Sequence, residues 1–86
     1  MRLPYVAMHA TALLEQLGSL LGERGWPSEV RKAYLRVSNP NDPGINADVE
    51  CDGETFRWAR GQIIGPVGEA AGVADRIQHV LREPGR

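Results

Sequence analysis

From Ile45 to Asp52 the chain alternates apolar and polar residues without interruption: Ile45, Ala47, Val49 and Cys51 against Asn46, Asp48, Glu50 and Asp52. Successive side chains of a strand point to opposite faces, so this stretch can bury its apolar residues only as a strand with one covered face. Directly after it comes Asp52-Gly53, the favoured centre of a two-residue type I′ hairpin turn. A hairpin closed there sets Val49 opposite Phe56, Ala47 opposite Trp58, Asp48 opposite Arg57 and Cys51 opposite Glu54. Apolar then meets apolar on one face and acid meets base on the other. A slip by one residue turns every side chain over and destroys both matches. The sequence therefore predicts that Phe56 and Trp58 face the interior and Arg57 faces out.

A second alternation, Ala33, Leu35 and Val37 against Tyr34, Arg36 and Ser38, predicts a strand upstream. The turn-rich Asn39-Pro-Asn-Asp-Pro-Gly44 connects the two. The strand holding Phe56 fades around Gly61-Gln62-Ile63-Ile64. Two segments carry helical periodicity instead. Val6, Ala10, Leu13, Leu14, Leu17, Leu20 and Leu21 form one apolar stripe, with Pro4 at its start and Gly22 or Gly25 at its stop. His9, Gln16, Ser19 and Glu23 lie opposite. The other helix is predicted to begin at Gly65-Pro66, to bury Val67, Ala70, Ala74, Ile77 and Leu81, and to end at Pro84-Gly85.

The expected order is α-β-β-β-α. In fold class this is α+β, a three-stranded antiparallel meander with both helices on the face lined by Leu35, Val49, Phe56 and Trp58. At 86 residues the chain forms a single compact domain over residues 1–86, with a thin core.

Charge and cysteine count narrow the function classes. A formal net charge of −1 gives no long-range field for nucleic acid or an anionic membrane. Cys51 is the one cysteine, so neither an internal disulfide nor a cysteine-cluster zinc site can form. Arg2 before an apolar run invites comparison with a signal peptide, but His9, Glu15 and Gln16 interrupt that run. No run reaches the ~18 apolar residues of a membrane span. A reducing, cytoplasmic setting is expected.

The motifs that suggest chemistry each lack a needed part. Asp48-x-Glu50-x-Asp52-Gly53 imitates the opening of a calcium loop, yet the twelfth position, which requires a bidentate carboxylate, is Ala59. The α-β-β-β-α order is also that of double-stranded-RNA-binding domains, and such a nucleic-acid reader is the alternative reading. The stretch Gly65–Gly72 that would meet phosphates has no Lys or Arg and includes Glu69. His9 and His79 fall on polar helix faces, with Asp75 at a spacing that marks a surface pair with His79. Cys51 points coreward beside an acid, which raises a thiol pKa. No catalytic residue, cofactor or metal is expected; an enzyme subunit whose site is completed by another chain is the remaining alternative.

What is left is surface. A meander covered on one side leaves Tyr34, Arg36, Asp48, Glu50 and Arg57 on its open face, followed by Ala59, Gly61 and Ile63. Tyr34, Arg36, Arg57, Ala59 and Ile63 are the predicted interaction surface, with the edge of the first or third predicted strand as an additional contact. The predicted role is a non-enzymatic protein-interaction module: an adaptor, chaperone-like or regulatory subunit, self-associating as a homodimer or binding another protein.

The runs Tyr34-Leu-Arg-Val-Ser-Asn-Pro40, Val49-x-Cys51, Phe56-x-Trp58, Gly61-Gln-Ile-Ile-Gly-Pro-Val67 and Ala74-Asp-Arg-Ile77 resemble a group of small actinobacterial proteins. The resemblance covers about residues 30–82 and leaves the first helix outside. It implies a cytoplasmic accessory or regulatory protein and carries over no functional residue.

Overall fold

The computed structural model describes the backbone of residues 3–31 and 33–82, and the side chains of 10–31 and 33–82. Its elements are α1 (Leu3–Glu23), β1 (Ser28–Val30), β2 (Leu35–Ser38), β3 (Asn46–Cys51), β4 (Thr55–Trp58), β5 (Ile63–Pro66) and α2 (Ala70–Leu81), with a 3-10 turn at Val67–Glu69. The strands form one antiparallel sheet in the order β1-β2-β3-β4-β5. The α+β class stands, but the three-stranded meander is overturned: the sheet has five strands, and the order is no longer α-β-β-β-α.

The two additional strands hide their pattern for separate reasons. β1 is three residues long, too short for alternation to register, and pairs Glu29 with Arg36 and Val30 with Leu35. β5 contains glycine and proline, which read as a helix start, and a bulge breaks its register between Phe56 and Arg57. Proline is tolerated here because β5 is an edge strand. The helix expected from Gly65 therefore begins at Ala70. The expected stop at Pro84-Gly85 lies outside the described residues.

The β3–β4 hairpin corrects a finer prediction. The pairs are Val49 with Trp58, Glu50 with Arg57 and Cys51 with Phe56. The turn is centred on Gly53-Glu54, with Gly53 at φ 96° in the first central position, as a type II′ turn requires. Asp52 selects it: its carboxylate accepts from the amides of Glu54 and Thr55, both at 2.8 Å, and so occupies the position before the turn. The register moved by two residues rather than one, so every side chain kept its predicted face.

Both helices cover that face. α1 lies over β1, β2 and β3, α2 lies over β5, and the helices touch each other. Leu14, Leu17 and Leu21 of α1 and Val73, Ala74, Ile77 and Leu81 of α2 close on Leu35, Val37, Val49, Phe56 and Ile64. α1 ends in a Schellman motif, the amide of Trp26 donating to Leu21 and that of Gly25 to Gly22. Asn39 is the buried polar residue of the described part. Its Nδ2 donates to the Leu81 carbonyl at 2.8 Å, and its Oδ1 accepts from the amides of Asn41 and Asp42. One side chain thus fastens the β2–β3 loop to the end of α2.

Candidate interaction groove

The sheet's outer face is a paired lattice. Arg36 donates from Nε to Asp48 at 2.9 Å and from Nη2 to its other oxygen at 3.4 Å. Glu29 stands opposite Arg36, and Glu50 opposite Arg57. Asp48 thus answers Arg36, not Arg57. Tyr34 is half-buried just before β2, while Ala59 is exposed in the β4–β5 turn.

The five predicted interaction residues do not form one patch. Tyr34 and Arg36 belong to the β2 side, and Ile63 lies on β5. With β3 and β4 between, the separation is roughly 14 Å at the ~4.8 Å spacing of neighbouring strands. Arg57 and Ile63 are neighbours across the β4–β5 ladder. The first and third predicted strands correspond to β2 and β4, which are interior, so their edges are unavailable. The real edges are blunted. β1 is short, while β5 carries a bulge, ends in Pro66 and has its Ile64 carbonyl covered by Arg76 Nη1.

Apolar surface collects elsewhere. Two large hydrophobic side chains stand exposed among the described residues, Ile63 at 67% and Val80 at 57%. Both line the same open groove of about 290 Å³ between the lower end of β5 and α2. Half-buried Trp58 and buried Ile64 contribute from the sheet. Asp75, Arg76 and His79 add polar groups from α2.

Two of those charged groups are already held. Asp75 is paired with Arg24, whose guanidinium also donates to Gln78 Oε1 at 2.8 Å. That pairing replaces the one expected between Asp75 and His79, and His79 is exposed. Arg76 reaches over the β5 edge to the Ile64 carbonyl. The His9 side chain lies outside the described residues.

Of the sequence's site residues, Ile63 alone belongs to the groove. The legible signal for Val80 was its apolar character off the buried stripe of the second helix. Trp58 and Ile64 carried no separate signal, because both take ordinary coreward positions, Ile64 buried and Trp58 half-buried.

The chemical candidates are engaged structurally. The Cys51 thiol is pushed up, chiefly by desolvation, with Asp52 adding to it and the Gly53 amide opposing. Asp52 is held below the usual carboxylate range by the amides of Thr55 and Glu54. Among the described residues no cluster of three His, Cys, Asp or Glu side chains is placed to hold a metal ion. No described helix is long and apolar enough to cross a membrane. No family model matches the chain, and no curated protein or solved structure is detectably similar to it.

Proposed function

We propose that this protein is a non-catalytic interaction module and that the groove between β5 and α2 holds a short apolar segment of a partner protein. The observation that carries this reading is the placement of Ile63 and Val80. The two large hydrophobic side chains exposed among the described residues flank one concavity, with an indole beside them. Scattered singly, such residues need no explanation; gathered around a concavity, they mark a contact surface. The sheet's outer face supports the reading less well, because its Arg36–Asp48 pair is satisfied within the sheet. The element order behind the double-stranded-RNA alternative is absent.

The test uses a fluorescein-labelled amphipathic peptide of leucine, alanine and glutamine, followed by polarisation and by tryptophan emission. Wild type should bind, and an Ile63→Asp, Val80→Asp variant with unchanged circular dichroism should bind at least tenfold more weakly. Equal binding by the two proteins would remove the groove as the contact surface. Sedimentation velocity over a wide concentration range adds the identity of the partner: association lost in the same variant would make that segment part of a second copy.

A further inference from the structure

Charge around the groove is uneven, and this bears on what enters it. Asp75 is neutralised by Arg24 across the helix pair. Among the described residues Arg76 donates to a neutral carbonyl, that of Ile64, and belongs to no ion pair. Glu69 lines the smaller hollow on the far side of Arg76 without pairing to it. Among the described residues, the groove therefore presents one guanidinium without a carboxylate partner, beside an apolar wall of Trp58, Ile63, Ile64 and Val80. The hydrogen bond to Ile64 fixes where that charge sits.

Resting on the reading of the groove as a docking surface, we infer that its occupant is a partner-protein segment carrying a carboxylate next to its apolar anchors, with Arg76 as the residue that selects it. Arginine suits this role because its planar fork has five donors and remains charged, so donors are left over after one contacts the backbone. A carboxylate at this position gains a charge-assisted hydrogen bond while its apolar neighbours cover Ile63 and Val80. A lysine-bearing segment places like charges together, and a neutral one gains only the apolar contact.

The experiment compares three labelled peptides of one sequence that differ at a single position: glutamate, glutamine or lysine. Wild type should bind the glutamate peptide roughly threefold to fivefold more tightly than the glutamine peptide, the range of a partly exposed ion pair. The lysine peptide should be weakest, and the spread should shrink as salt is raised. Arg76→Gln should bring the three affinities together with circular dichroism unchanged, and Arg76→Lys should restore the preference. If glutamate and glutamine peptides bind wild type equally, or if Arg76→Gln keeps the preference, the inference is overturned while the groove reading survives. If no peptide binds at millimolar concentration, both fall.

Discussion

Replacing Asn39 by alanine should be the most damaging single change at a polar position of this fold. Asn39 is 3% exposed and its side chain makes three hydrogen bonds among the described residues: one donated to the Leu81 carbonyl at 2.8 Å, and two accepted from the amides of Asn41 and Asp42 at 2.8 and 3.2 Å. A typical intramolecular hydrogen bond contributes about 1 kcal/mol net, and a buried partner left unpaired costs about 1–3 kcal/mol more. The two loop amides can recover water, whereas the Leu81 carbonyl sits at a buried residue. The expected loss is therefore roughly 2–3 kcal/mol, which lowers Tm by about 10 °C or more in a domain of this size. Urea unfolding followed by far-ultraviolet circular dichroism measures it, with an unchanged slope showing that the denatured state is unaltered.

Asn39→Asp separates the donor from the two acceptor contacts. It keeps an oxygen for the loop amides but sets a carboxylate against the Leu81 carbonyl, which raises its folded-state pKa above the unfolded value. Its destabilisation should be complete above the folded pKa and diminish as pH falls, because a protonated carboxyl regains a donor. A loss below about 0.5 kcal/mol for Asn39→Ala, or an Asn39→Asp variant with the pH profile of wild type, would refute the idea that this side chain clamps the loop to α2.

Two further outcomes test the sheet. A Cβ at Gly65 would stand 3.0 Å from Val73 Cγ2, so Gly65→Ala should cost about 1–3 kcal/mol through overpacking. Val73→Ala in the same chain should return part of that loss, a coupling of at least 0.5 kcal/mol in a double-mutant cycle by urea unfolding. Asp52, whose folded pKa is lowered, contributes stability that is present above the unfolded carboxylate value and lost as pH falls through the folded one. Asp52→Asn keeps an acceptor but removes the charge, so the difference in urea midpoint from wild type should narrow on acidification below about pH 4.

The hairpin shows how far the sequence could be read. Alternation placed Val49, Phe56 and Trp58 inward and Asp48, Glu50 and Arg57 outward, and the structure agrees on each face. Register was not legible, because a shift by two residues leaves that alternation intact. The decision fell to Asp52, whose carboxylate bonds to two amides that exist in this geometry only once the turn has formed. Strand count failed for a related reason. β1 and β5 are held by their neighbours in the sheet rather than by a pattern of their own. The groove followed from the same cause, since β5 had to be a strand before α2 could lie along it.

Periodicity in the sequence alone determined the two helices, the central strands and which side of each is buried. Those are local consequences of the angle between successive side chains, so no other part of the chain is needed to read them. The tertiary structure decided the edges of the sheet, the pairing of Asp75 with Arg24 and of Asp48 with Arg36, and the gathering of Ile63 and Val80 around one concavity. Each of these depends on residues brought together from distant parts of the chain, and a linear pattern does not contain that distance.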